Sequence, residues 1–281
     1  MRVVFGSVIY NERIEFIDDF LDSLNKQNYP DFDIIFINDD LNNLKINYIV
    51  NKLIQKTIIC NVNKKLKPNE LRVELIKQSK IKEYDLLILG DFDDTFSEDR
   101  VSSIINEFEA SYGFFYNDLF YFNNKRLFFD KLPNLTLNIK NILECNYLGL
   151  SNTSINLKLI DDYMIKELNN CMSPIFDWYM YSLFLSKGIV GKKINQGFTS
   201  YRLHSNNIAG LKKDKNEAIL QEIEIKMLHY SSLKKINLVF EELYYNYNEL
   251  KKKVEIGMNI TKYLCKNTSN YWWGNIRLDV R

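Results

Sequence analysis

Four short apolar runs in roughly the first ninety residues, each separated from the next by a stretch of helical spacing, restrict this chain to buried strands with helices packed against them. The runs are Val3 to Ile9, Phe32 to Ile37, Thr57 to Cys60 and Asp85 to Leu89. Hydrophobicity this continuous marks strands covered on both faces, as in parallel sheets assembled from βαβ units. Between the first two runs, Phe16, Ile17, Phe20, Leu21 and Leu24 recur at helical spacing, and Asn28-Tyr29-Pro30 ends that helix. Leu71, Leu75 and Ile76 mark another helix before the fourth run.

In open α/β sheets, ligands bind beyond the carboxyl ends of the strands. Polar residues are placed there in this sequence: Asn11 and Glu12 after the first strand, Asn38, Asp39 and Asp40 after the second, Asp91, Asp93 and Asp94 after the fourth. Groups at three such ends are expected to converge on one site.

The segment Gly90-Asp91-Phe92-Asp93-Asp94 sets carboxylates so close together that they repel unless a cation is shared or a proton is taken up. Mg²⁺ or Mn²⁺ resolves the conflict, because each uses one or two protein carboxylates and completes its shell with phosphate oxygens and water. A nucleoside diphosphate fits that shell, and a cation bridging its phosphates stabilises the charge it gains on leaving. Two other readings of the segment stand beside this one. It can be a solvated turn that caps the next helix, with Ser97 and Asp99 in similar roles. It also resembles the D-x-D-x-T opening of haloacid-dehalogenase-type phosphatases, although about ninety residues of βα pattern precede it and no later G-D-x-x-x-D follows.

Composition excludes several classes. With 37 basic against 36 acidic residues, the net charge of +1 gives no overall field toward nucleic acid or an anionic membrane. Cys60, Cys145, Cys171 and Cys265 are scattered without a C-x-x-C pair, which argues against zinc or a disulfide framework and for reduced thiols in a cytoplasmic protein. No apolar stretch approaches the roughly 20 residues that span a bilayer, so membrane association is expected to be peripheral, at the inner face.

The motifs together resemble family 2 glycosyltransferases of the GT-A fold, of the bacterial surface-glycan type, from about Val4 to Gly210. Ser7-Val8-Ile9-Tyr10-Asn11-Glu12 is similar to the opening strand and donor loop, and Phe36-Ile37-Asn38-Asp39-Asp40 to the second strand with its base- or ribose-binding aspartate. Leu71-Arg72 resembles the helix start that faces the diphosphate, and Asp91-Phe92-Asp93 the D-x-D metal motif, with Asp93 the implied direct ligand. Ser173-Pro174-Ile175-Phe176-Asp177-Trp178 resembles the acidic E-D-W element, whose aspartate is the acceptor's general base; here Phe176 replaces the first acid. Tyr201-Arg202-Leu203-His204 resembles a Y-R-x-H segment that closes over the donor phosphates, with His204 able to join the metal shell.

The resemblance implies an α/β GT-A fold, Rossmann-like with a mixed, mostly parallel sheet and flanking helices, and an inverting, nucleotide-sugar-dependent transferase in polysaccharide biosynthesis. The implied site is Asp177 as catalytic base, Tyr10, Asn11, Glu12, Asp39, Arg72, Asp91 and Arg202 around the donor, and Asp93, Asp91 and His204 around Mn²⁺ or Mg²⁺. UDP- or dTDP-sugar is the favoured donor, and a glycan or lipid-linked glycan the acceptor. The missing acid at Phe176 keeps open a non-catalytic module that binds a nucleotide or glycan. Each residue also has a structural reading: Asp177 as a helix cap, Arg72 in a surface ion pair, His204 and His229 as structural histidines.

Residues 112 to 156 are expected to add short strands and loops around the crevice, with Trp178 or Tyr179 available to stack on sugars. From about Lys212 the apolar spacing becomes helical, so residues 1 to 210 are read as the catalytic domain and 211 to 281 as a C-terminal helical extension. That extension can pack beside the acceptor site, form a homodimer or rest on a membrane through Tyr271-Trp272-Trp273; for such aromatic pairs, packing is the commoner fate.

Overall fold

The computed structural model describes residues 1–62, 64–203, 215–265 and 270–278. Strands β1 (Val3–Tyr10), β2 (Asp33–Asp39), β3 (Thr57–Asn61) and β4 (Leu86–Leu89) fall on the four apolar runs. They alternate with helices α1 (Ile17–Asn25), α2 (Asn43–Lys52) and α3 (Pro68–Ile81). Local signals set the helix starts. The Asn42 side chain accepts from the Lys45 N–H at the head of α2, while Pro68 opens α3 and Glu70 reaches back to the Lys67 N–H.

Beyond β4 come β5 (Thr95–Phe96), α4 (Arg100–Asn106), β6 (Phe114–Tyr121), β7 (Leu135–Thr136) and β8 (Thr153–Asn156). They are followed by α5 (Asp162–Asn169), α6 (Phe176–Ser186) and β9 (Gly191–Tyr201). The sheet runs β3-β2-β1-β4-β8-β6-β9-β5, with β7 paired to β9. Its first four strands are mutually parallel; β8 is antiparallel to both β4 and β6. The sequence pattern gives the parallel half and understates the other, where β6 is as long as β1.

Helices cover both faces. Phe5, Phe20, Phe36, Phe96 and Val101 belong to one apolar core, on which α1 and α4 pack. The other core joins Val4, Leu87, Leu75 and Trp178 to Ile223, Tyr230, Phe240 and Tyr247 of the C-terminal helices α7 (Lys215–Leu233) and α8 (Leu238–Glu255). These helices therefore share the core of the face that carries α3 and α6. Lys226, fully buried, donates to Tyr247 Oη and to the Ile276 carbonyl, while Glu222 accepts the Ile276 N–H. That network fixes the final segment to the helix pair. Tyr271 and Trp272 pack among Phe128, Phe129, Tyr147 and Tyr201. The expected boundary at Gly210 lies outside the described residues. Among the described residues, no helix is long and apolar enough to cross a membrane, and the four cysteines are free thiols.

Strand order places the crevice. The chain moves from β1 outward to β2 and β3 and returns to β4 on the other side of β1, so connections diverge at the β1/β4 boundary. Because β4 is short, Leu89 pairs with Gly6, and the Gly90 N–H reaches the Gly6 carbonyl. The acidic loop thus begins halfway along β1, leaving the end of β1 to form the crevice wall. Gly90 is obligatory there: a Cβ would lie 2.5 Å from the Phe96 ring and 2.6 Å from the Phe5 ring.

Candidate active site

A narrow crevice opens at this point, lined by Ser7, Arg72, Gly90, Asp91, Leu150 and Phe176, among others. β1 and the β4 loop supply one side, α3 supplies Arg72, and the first turn of α6 supplies Phe176. Asp177 follows in that same turn.

The carboxylates behave as one group. Burial raises the proton affinity of Asp91 and, more strongly, of Asp94; the neighbouring Asp93 adds to both. Asp91 is relieved by Arg72 and Arg13. The Asp91 N–H donates to Ser151 Oγ at 3.0 Å, which fixes the loop backbone. Asp94 points inward, where Oδ1 accepts the Arg202 N–H at 2.8 Å and Oδ2 is buried without a hydrogen-bond partner among the described residues. Beneath it lies Arg100, fully buried and stacked 4.6 Å from the Phe96 ring centroid. Burial lowers its pKa to about 9 while Asp94 supports its charge.

Asp177, next to Phe176 of the crevice lining, lies within the fields of Arg72 and Asp91. Its Oδ1 accepts the Trp178 N–H at 2.7 Å, so the carboxylate does satisfy an open donor at a helix start, as the structural reading expected. Burial nonetheless raises its pKa to about 6; Arg72 opposes the rise and Asp91 adds to it. Arg72 therefore acts on Asp91 and Asp177 together. Among the described residues it forms no ion pair, which sets it apart from the expected surface pair.

Other expected residues are placed less centrally. Tyr10 packs its ring 4.6 Å from that of Phe92, and its hydroxyl is raised by burial and by Asp91 and Asp93. Asn11 laces two loops, donating to the Asp40 carbonyl and accepting from Lys45 Nζ. Asp39 pairs in register with Tyr10, but the charges that act on it are Glu12, Asp40 and Lys65, so Glu12 and Asp39 form a second acidic group along the β1–β2 edge. Asn38 closes the turn after β2 through both its amide and its carbonyl oxygen. Arg202 binds Asp19 at 2.8 Å and the Asp93 carbonyl at 2.8 Å, with its guanidinium 3.6 Å from the Phe122 ring centroid. It holds the acidic loop from behind. His204 lies outside the described residues.

Trp178 and Tyr179 offer no sugar platform: they are 0% and 1% exposed, because α6 is buried on every side except at Asp177 and Ser186. Two contributors, Arg13 and Arg100, escape a reading of the sequence, and a third, Tyr201, enters it only within the Y-R-x-H segment. Arg13, in left-handed backbone at φ 70°, forms an ion pair with Asp93 from 80 residues away. Tyr201 lies within the field of Asp91, Asp93, Asp94 and Asp177, and its place beside Arg202 was the available signal. Arg100 looks like any helix arginine until β4 and β8 close over it.

The donor set suits a hard divalent cation. Asp91 and Asp93 offer carboxylate oxygens from the same loop. Among the described residues no three His, Cys, Asp or Glu side chains are arranged as a metal cluster.

A comparison with curated proteins finds no match. Solved structures share the fold. TarS from S. aureus, residues 1–349 in complex with UDP, is similar over 93% of this chain and 77% of its own, with a TM-score of 0.58 at 12% identity. The same protein with UDP-GlcNAc gives 0.58 at 13% identity, again over 93% of this chain and 77% of that one. The mannosyltransferase PcManGT from Pyrobaculum calidifontis, in complex with GDP-Man and Mn²⁺, is similar over 91% of this chain and 73% of its own, with a TM-score of 0.56 at 10% identity. The model of glycosyl transferase family 2 matches residues 7–159, more than half of the 281. That match runs from the opening strand through the acidic loop to β8 and includes Arg72 and Asp91 of the crevice, and the chain is therefore a glycosyltransferase belonging to glycosyl transferase family 2.

Proposed function

We propose that the protein transfers a sugar from a nucleotide-sugar donor to a hydroxyl of a glycan or lipid-linked glycan, with inversion at the anomeric carbon. The observation that supports this reading is the crevice lined by Arg72, Asp91 and Phe176, with Asp177 next to Phe176 and Arg72 acting on both carboxylates. Asp177, with a pKa of about 6, is ionised at neutral pH yet basic enough to take the acceptor hydroxyl's proton. The freed oxygen attacks the anomeric carbon, the bond to the diphosphate breaks, and Arg72 offsets the charge left on the diphosphate. A base so placed contributes about 10² to 10⁴ in rate.

Asp91 and Asp93 would hold Mn²⁺ or Mg²⁺, which supplies Lewis-acid stabilisation of the leaving diphosphate when bound. Tyr10, Glu12 and Asp39 line the edge suited to the nucleoside, and a pyrimidine such as that of UDP or dTDP is the favoured base. Arg202 supports the acidic loop, and His204 would join the metal shell. The work fits a cytoplasmic enzyme at the inner membrane face that builds polysaccharide. The test is Asp177→Asn: it should abolish nucleoside diphosphate release from UDP-, dTDP- and GDP-sugars while calorimetry shows unchanged binding of UDP with Mn²⁺. Normal turnover by this variant would sink the assignment of the base.

A further inference from the structure

His229 on α7 is a buried titratable side chain that adjoins the Asp177 turn and has no part in the chemistry above. It is fully buried, and its ring stacks on Trp178 with centroids 4.0 Å apart and planes 15° apart. Its Nδ1 lies 3.2 Å from Ser173 Oγ. Ser173 Oγ in turn donates to the Ile175 carbonyl and accepts the Ile175 N–H, each at 3.2 Å.

The valences fix the tautomer. Nε2 has no hydrogen-bond partner among the described residues, and an unpaired lone pair is less costly there than an unpaired N–H. The proton therefore sits on Nδ1 and is donated to Ser173 Oγ, which then accepts two hydrogen bonds and donates one. Burial and the neighbouring Lys226 keep the imidazole neutral.

Ser173 is gripped from a second side. Asn69, one turn before Arg72 on α3, donates to the Ser173 carbonyl at 3.1 Å. The segment leading into α6 is thus clasped by the helix that carries Arg72 and by a C-terminal helix, and α6 begins directly after Ile175 with Phe176, Asp177 and Trp178. From this geometry we infer that His229 is a positioning residue for the catalytic base: its bond to Ser173 and its stack on Trp178 hold the first turn of α6, and with it the Asp177 carboxylate, at the working distance from Arg72 and Asp91. The C-terminal helices are then part of the transfer apparatus.

The inference rests on the reading of Asp177 as base, and the experiment separates the two. His229→Phe keeps a ring against Trp178 and removes the donor; His229→Asn restores a donor near the position of Nδ1. Amide hydrogen exchange in the full-length protein should rise about tenfold in His229→Phe across residues 173–178 and remain at the wild-type rate in α8, because local opening is confined to contacts that are lost. Turnover of UDP-, dTDP- and GDP-sugars should show kcat lowered about 10- to 100-fold with donor KM unchanged, since misplacement near the chemistry has effects of that order. His229→Asn should recover most of both. A general loss of protection, or a KM rise with kcat intact, would overturn the positioning role. Wild-type exchange and turnover in His229→Phe beside an inactive Asp177→Asn would remove the His229 inference alone. Full turnover by Asp177→Asn would remove the base itself.

Discussion

Arg13 in the loop after β1 and Asp93 in the loop after β4 form an ion pair. The pair joins the donor loop to the metal motif through two side chains of unequal exposure, 26% for Arg13 and 6% for Asp93. Arg13 adopts φ 70°, a region unfavourable for a residue with a Cβ and typical of functional loops held by their surroundings. The guanidinium neutralises the carboxylate that the D-x-D resemblance assigns to the metal, so Arg13 and the proposed divalent cation would act on the same group.

Arg13→Ala should therefore destabilise the metal-free protein by about 1–3 kcal/mol, less than for a fully buried pair because Arg13 is partly hydrated. Millimolar Mn²⁺ should restore much of the loss, giving a larger rise in Tm for the variant than for the wild type. Differential scanning fluorimetry with and without Mn²⁺ measures this. Equal shifts in both proteins would show that Arg13 and the cation do not share Asp93.

The pH profile should report Asp177. Its pKa is raised to about 6, chiefly by burial, and its working form is the carboxylate. Activity should rise through pH 6 to a plateau, falling about tenfold per unit well below that value. The sign for stability is opposite. A carboxyl with a folded pKa above its unfolded one is protonated more readily when folded, so its ionisation opposes folding at pH 7. Asp177→Asn, which retains an oxygen for the Trp178 N–H, should gain up to about 1–3 kcal/mol at pH 7 and lose that advantage as pH falls toward 4. Urea unfolding at both pH values reads the difference.

Gly90→Ala tests the packing under the acidic loop. The added methyl meets both Phe5 and Phe96, and Phe5 is fully buried, so neither ring has space to retreat. A loss of about 1–3 kcal/mol is expected from overpacking, with weaker UDP binding because the loop carrying Asp91 must shift. Unfolding midpoints and calorimetry check the two effects together.

These residues show what a sequence can disclose about such a site. β1 to β4 are legible because strands covered on both faces must be apolar throughout, and Asp91, Asp93 and Arg72 are legible because strand ends and helix starts are local features. Trp178 misleads for a related reason: α6 is apolar around its whole circumference, so periodicity gives no direction for its rings. The Arg13–Asp93 pair and the His229–Ser173 bond join residues far apart in the chain, set by how β1 meets β4 and how α7 meets α6. No local pattern encodes those meetings. The long β6 is hidden in a segment where Phe, Tyr and Asn alternate too irregularly to fix a face.

Arg100 and Asp94 provide the remaining prediction. Arg100 is fully buried, donates through Nη2 to the Leu89 and Thr153 carbonyls, and leaves Nε and Nη1 without partners among the described residues. Asp94 leaves Oδ2 in the same condition. Asp94 supports the charge of Arg100, and a lone buried ion costs several kcal/mol. Arg100→Met should remove the counter-charge and two hydrogen bonds, costing about 3–5 kcal/mol. Asp94→Asn alone leaves Arg100 uncompensated and loosens the contact that draws the Arg202 N–H to the acidic loop. In the double variant neither charge remains, so its destabilisation should fall short of the sum of the single losses by more than about 1 kcal/mol. Strict additivity in urea unfolding would show instead that the two charges are compensated separately.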